Sequence, residues 1–154
     1  MTPPTSDPTA VADVIVRGTG ANFVQQIETG PHHFIADEPV SYGGTATGPT
    51  PYDLLLSALG SCTAMTLGVY ARRKNLPLEN VVVSLRHSRV HAADCAECET
   101  KIGKIDRIDL EIQLTGSLTD EQRARLLQVA DLCPVHRTLQ SEIDIRTKML
   151  ANGG

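Results

Sequence analysis

The sequence predicts a single α+β domain in which antiparallel strands pack on a long apolar helix. Three observations predict it. Short β-leaning segments crowd the first 36 residues, and a helical stretch that is apolar on most sides follows them. Two segments of alternating hydrophobicity come next, before a second, capped helix. Strands grouped apart from helices exclude a parallel doubly wound sheet, in which the two alternate.

Residues 1–10, rich in Pro and Thr, read as a disordered tail, and residues 11–150 as the domain. Val14 to Val16, Asn22 to Ile27 and His32 to Ala36 read as a meander broken at Gly18-Thr19-Gly20 and Gly30-Pro31. Asp37 to Thr50, with Gly43, Gly44, Gly48 and Pro49, is a loop. Thr50-Pro51-Tyr52-Asp53 then combines an N-cap, a proline at the first helical position and an acid at N3. The helix it starts runs to about Lys74, with Leu55, Leu59, Cys62, Thr66 and Val69 on one face. Leu54, Ala58, Ala64 and Met65 make most of the other face apolar as well. A helix apolar nearly all round is buried, and in a chain this small a second subunit is expected to cover part of it.

Val81, Val83 and Leu85 begin a strand reaching about Val90, and Ile108, Leu110, Ile112 and Leu114 mark its antiparallel neighbour. The connection from His91 to Lys104 is polar. Thr119 and Gln122 cap a second helix whose stripe of Leu126, Leu127 and Ala130 continues in phase to Cys133, where Pro134 stops or kinks it. Ile143 and Ile145 read as a last strand.

Composition excludes several classes of function. A formal net charge of −4 with scattered basic residues leaves no nucleic-acid footprint, and three Tyr, two Phe and no Trp supply few stacking platforms. No unbroken apolar run approaches the ~20 residues of a membrane helix. The N-terminal residues lack the pattern of a signal peptide. Four cysteines without that signal point to a reducing, cytoplasmic compartment, where cysteines are more often catalytic, metal-binding or core residues than structural bridges.

Cys62 and Cys133 sit on the inward stripes of two different helices. Each alone is more simply a core residue. Together they form a reversible disulfide if their Cα atoms lie within about 7 Å. Reactivity needs a thiolate, and lowering a thiol by two or three pH units takes ~3–4 kcal/mol. Cys62 lies about three turns from its helix start, beyond the reach of the dipole, and burial acts in the wrong direction. An arginine held by a carboxylate is therefore required. Arg17, Arg72, Arg73 and Arg137 are candidates, with Asp53 or Glu38 as the orienting acid.

The segment Gly48-Pro49-Thr50-Pro51-Tyr52-Asp53-Leu54-Leu55-Leu56-Ser57-Ala58-Leu59-Gly60-Ser61-Cys62-Thr63 resembles the OsmC/Ohr family, as does Leu132-Cys133-Pro134-Val135-His136 downstream. The resemblance implies an OsmC-like fold, an intertwined homodimer with long central helices, and thiol-dependent reduction of organic hydroperoxides. It assigns Cys62 as the peroxidatic and Cys133 as the resolving cysteine, with Arg17 as the activating arginine. The best-known members carry a glutamate ten residues before the first cysteine. Here that place is Tyr52, so either Asp53 takes over the orienting role or the arginine is held more weakly. Tyr52 and Leu59 are expected to bind substrate. A small dithiol or dithiol protein is the expected reductant, and no dissociable cofactor is needed. The rival expectation is a binding or stress-response module on the same fold, with little turnover, in one version holding a metal through the His and Cys residues of the hairpin tip at Cys95 and Cys98.

A second constellation joins His87 and His91 to Cys95 and Cys98. The residue types suit zinc. In an extended strand, however, residues i and i+4 lie ~13 Å apart, so the two histidines do not ligate together without a turn. No metal is expected there.

Overall fold

The structure, a computed structural model, describes residues 12–151; the expected tail at residues 1–10 lies outside the described residues. The chain forms two compact units, the first ending at Leu54 and the second beginning at Leu55.

The first unit is an antiparallel meander of β1 (Ile15–Gly18), β2 (Gln25–Thr29) and β3 (His32–Ala36). Its register sets Val16 opposite Ile27 and Ile27 opposite Phe34. Gly30, at φ +55°, makes the tight β2–β3 turn that a side chain would strain. The loop after β3 is organised by one buried carboxylate. Asp37 accepts the backbone N–H of Glu38 (2.8 Å), Thr45 (3.1 Å) and Thr47 (3.1 Å), and both threonine hydroxyls. Its own N–H donates to the Pro49 carbonyl at 3.1 Å, which folds the loop back on β3. A Cβ on Gly48 would collide with the Ile35 carbonyl, so the backbone approaches there as only glycine permits.

That loop delivers α1 (Pro51–Arg73). Thr50 and Asp53 form the expected reciprocal cap: the Asp53 carboxylate accepts Thr50 N–H (2.9 Å) and the Thr50 hydroxyl accepts Asp53 N–H (3.1 Å). The helix ends with Asn75 at φ +52°, Leu76 N–H on the Ala71 carbonyl (2.9 Å) and Asn75 N–H on that of Arg72 (3.3 Å). This left-handed stop satisfies the last carbonyls before Pro77. Leu59, Gly60, Thr63, Leu67 and Ala71 are buried. The expected stripe is therefore rotated: Leu59 belongs to it, whereas Leu55 and Val69 remain exposed. The i, i+4 row from Leu59 to Ala71 is the one that meets the rest of the second unit. Over 18 residues α1 has a mean hydropathy of 1.5, long and apolar enough to cross a membrane, where the sequence reading expects no such run. Interspersed Ser, Thr and Gly had masked that average. The buried row of α1, Leu59 to Ala71, packs on the rest of the second unit.

In the second unit β4 (Asn80–His91) and β5 (Lys104–Thr115) pair antiparallel throughout, Leu85 opposite Leu110 and His91 opposite Lys104. Their inward face, including Val81, Ile112 and Leu114, packs on Leu67 of α1 and on Leu126, Val129 and Ala130 of α2 (Asp120–Ala130). Fully burying a side chain such as Leu67 or Leu126 stabilises by roughly 1.5–3 kcal/mol. A capping box of Thr119 and Gln122 starts α2, as expected. Its inward face carries Val129, while Leu127 is exposed, contrary to the expected stripe.

Two further expectations are corrected. The second helix does not continue to Cys133; it ends at Ala130, and Pro134 opens a new helix, α3 (Pro134–Leu139). Proline is disfavoured inside a helix but preorganised for its first turn. No strand forms at Ile143 and Ile145 among the described residues. Their side chains are exposed, and no neighbouring strand pairs with the segment.

Candidate functional site

Cys62 and Cys133 meet within the second unit. Cys62 is half-buried on α1, and Cys133 is fully buried at the position that caps α3. The Cys133 sulfur accepts the His136 backbone N–H at 3.4 Å, and the Cys62 thiol is hydrogen-bonded to it. Thr63, fully buried one residue beyond Cys62, directs its hydroxyl to Cys133 and to the Leu59 carbonyl (2.9 Å). The Val135 N–H faces both sulfurs.

These donors divide the two thiols. Burial pushes Cys62 above its ordinary value, and its bond to Cys133 pushes further the same way. Burial also opposes ionisation of Cys133. The Cys62 thiol, the His136 and Val135 N–H groups and the Thr63 hydroxyl overcome it and hold Cys133 below the ordinary range. Of the two, Cys133 is therefore the thiol that ionises more readily and Cys62 the one that holds its proton longer. The sequence reading looks for a depressed Cys62 thiol, and within this unit the depressed one is Cys133. Thr63 and the two N–H groups are what that reading missed. Cys133-Pro134 is the signal that could have found them, a sulfur at a helix cap followed by proline at the first turn.

Leu59 lines a cleft of about 200 Å³ with Ile108, Leu110 and Leu139 and with the polar Asp106, His136 and Gln140. Its wall is mostly apolar. The His136 Nδ1 atom is buried without a hydrogen-bond partner among the described residues, 3.8 Å from an Asp131 carboxylate oxygen.

Of the other expected residues, Arg17, Glu38, Tyr52 and Asp53 belong to the first unit and Arg72, Arg73 and Arg137 to the second. Arg17 on β1 is ion-paired with Glu28 of β2 at 2.6 Å, which raises the guanidinium and lowers the carboxyl. Tyr52 is exposed in the first turn of α1, and Asp53 serves the helix cap. Arg72 and Arg73 lie in the last turn of α1, where cations complement the helix dipole, and Arg137 lies on α3. Glu38 stands in the Asp37 loop.

The histidine and cysteine constellation does not assemble. His87 bonds Asp106 across the hairpin at 2.9 Å, and Cys95 and Cys98 are joined to each other. No group of three or more His, Cys, Asp or Glu able to hold a metal gathers among the described residues.

The fold and the paired thiols define an OsmC-type protein. A family model described as OsmC-like protein matches residues 44–148, and the chain belongs to that family. Solved structures share its fold. An OsmC-like protein from Mycoplasma pneumoniae is 19% identical, with a TM-score of 0.66 over 86% of this chain and 89% of that one. An osmotic stress induced and detoxification response protein from Psychrobacter arcticus is 18% identical, with a TM-score of 0.66 over 84% and 89%. The organic hydroperoxide resistance protein OhrB of Bacillus subtilis is 20% identical, with a TM-score of 0.58 over 88% and 94%. No curated protein matches the chain.

Proposed function

We propose that the chain is a cytoplasmic, homodimeric thiol peroxidase that reduces organic hydroperoxides with Cys62 and Cys133. What carries the reading is the hydrogen-bonded pair itself, one sulfur half-buried and the other fully buried and the more readily ionised. A hydroperoxide has access only to the exposed sulfur, so Cys62 is the peroxidatic residue. Cys133 takes the proton from Cys62 as that sulfur attacks the peroxide oxygen. The O–O bond breaks, Cys62 becomes a sulfenic acid, and the alkoxide leaves as an alcohol with the proton held by Cys133. The Cys133 thiolate then attacks the sulfenic sulfur, forming the disulfide and releasing hydroxide. A small dithiol or dithiol protein returns two electrons. The cycle needs no dissociable cofactor.

The four aliphatic side chains of the cleft, Leu59, Ile108, Leu110 and Leu139, support an organic substrate over hydrogen peroxide. Arg17, oriented by Asp53, is proposed to stabilise the attacking thiolate, and Tyr52 to contact substrate. The homodimer accounts for the exposed Met65 and Val69 on α1 and for Ile143 and Ile145, which lack a neighbour in one chain. The second reading, a stress-response module with little turnover, is favoured by the raised Cys62 thiol and by Tyr52 at the place of the family glutamate.

Peptide mapping after one equivalent of cumene hydroperoxide tests the proposal. A Cys62–Cys133 disulfide is expected within seconds to minutes. Two persisting thiols would leave the low-turnover module as the better reading.

A further inference from the structure

The tip of the β4–β5 hairpin carries chemistry that the proposed cycle does not use. Cys95 and Cys98 are bridged there, three residues apart in sequence and 5.4 Å apart between Cα atoms. Both are half-buried, and Ala96 and Glu97 between them are exposed. The turn around them has its own supports. Ala92 is fully buried and donates its N–H to the Gly103 carbonyl (2.8 Å), Cys95 N–H reaches the Ala92 carbonyl (3.1 Å), and the Lys101 ammonium donates to the Ala96 carbonyl (3.2 Å).

The bridge makes a poor staple. A disulfide restrains the unfolded chain more as the loop it closes lengthens, and this one closes over two residues. It joins no separate elements, because β4 and β5 are already paired as far as His91 and Lys104. Its place at the end of a hairpin leaves it open to an attacking sulfur.

We propose that Cys95 and Cys98 form a second thiol–disulfide exchange centre, distinct from Cys62 and Cys133, whose substrate is a dithiol. One thiolate of the dithiol attacks a bridge sulfur, the Cys95–Cys98 bond breaks, and a mixed disulfide forms. The second sulfur of the dithiol then displaces the protein thiolate. The dithiol leaves as an internal disulfide, having given up two electrons and two protons, and the protein holds two thiols. A monothiol fares worse, because the freed cysteine, tethered three residues away, recloses the ring and expels it. The acids Asp94, Glu97 and Glu99 border the pair. This inference does not depend on the peroxidase reading.

The test uses the double variant Cys62→Ser/Cys133→Ser, which keeps only this pair. The folded protein is equilibrated with mixtures of reduced and oxidised dithiothreitol, alkylated and weighed. Two alkyl groups per chain are expected in reducing mixtures and none in oxidising ones, through one reversible two-electron transition. Glutathione at equal total thiol is expected to open about tenfold fewer bridges or less. The same mixtures applied to the wild-type chain, with Cys95 and Cys98 mapped by peptide, give the result should the double variant fail to fold. A bridge that opens only on unfolding would make the pair a staple. A pair that stays reduced in every mixture would mean that no exchange centre exists. Either result overturns the proposal.

Discussion

Cys133 ionises more readily than Cys62, so of the two paired sulfurs the buried one is the better placed to carry charge. The direction follows from where backbone donors converge. The start of α3 presents N–H groups to Cys133, and α1 adds the Thr63 hydroxyl from the other side.

That polarity has a titration signature. Thiolate absorbance of the wild type should show a first ionisation below the ordinary cysteine range. Thr63→Val and Cys62→Ala should each move it upward, because each removes a donor from the Cys133 anion. Peroxide consumption should rise as pH climbs through this first ionisation and fall away below it. An unmoved first ionisation in both variants would show that the charge is not on Cys133.

The roles of the two sulfurs separate by mutation. Cys62→Ser is expected to abolish hydroperoxide consumption, since a serine hydroxyl neither ionises near neutrality nor accepts the oxygen. Cys133→Ser should give a single burst followed by a sulfenic acid that a dimedone probe traps on Cys62. Wild-type turnover by Cys62→Ser would refute the assignment.

Arg17→Ala should slow the first step by about 10²-fold if the guanidinium supplies ~3 kcal/mol to the attack. Asp53→Asn should slow it less, and it should also cost about 1 kcal/mol of stability, because Asp53 caps α1 as well. Paired kinetics and urea melts distinguish the two effects. A pure stability loss would confine Asp53 to the cap.

Asp37 makes a prediction about acid. The Thr45 hydroxyl, followed by the Thr47 and Glu38 N–H groups, holds its carboxyl well below the ordinary range. A depressed folded value stabilises above the unfolded one, about 4, and that contribution is lost as pH falls further. Asp37→Asn should therefore lower the melting temperature at pH 7 by several degrees and flatten its dependence on pH below about 4. Identical acid profiles for the two proteins would contradict this.

Sedimentation at micromolar concentration should give twice the chain mass, with well over ~2,000 Å² buried between copies. Met65→Glu on α1 should weaken the association, since it places a charge on a residue that is 69% exposed in one chain. A monomer under these conditions would remove the dimer.

Much of this was legible in the chain, and the reasons are local. Thr50 with Asp53 and Thr119 with Gln122 announce helix starts because each cap is completed within four residues. The long hairpin is legible because Val81 to Leu85 and Ile108 to Leu114 alternate cleanly. The helix boundary near Cys133 was hidden because Val129, Ala130 and Cys133 keep the helical spacing across a real break. The rotation of the α1 stripe was hidden because apolar residues lie on most of its sides. Only the packing of Leu67 against Leu126 decides which row faces inward. Ile143 and Ile145 alternate like a strand, yet pairing needs an edge that local pattern does not reveal. The Cys95–Cys98 bridge was hidden because the residue types equally suit a metal.

Cys133 caps α3 through its sulfur. A helix start held by an anion is a gauge of that anion's charge. When the sulfur bonds to Cys62 it loses its charge, and the first turn of α3 loses its electrostatic anchor while the backbone stays in place. His136 and Leu139, on that helix, form part of the cleft wall. If the pair cycles as proposed, the cleft wall is expected to be looser in the disulfide form than in the dithiol form. Amide exchange at Val135 and His136 should quicken on oxidation, reporting the state of the sulfur from the backbone alone.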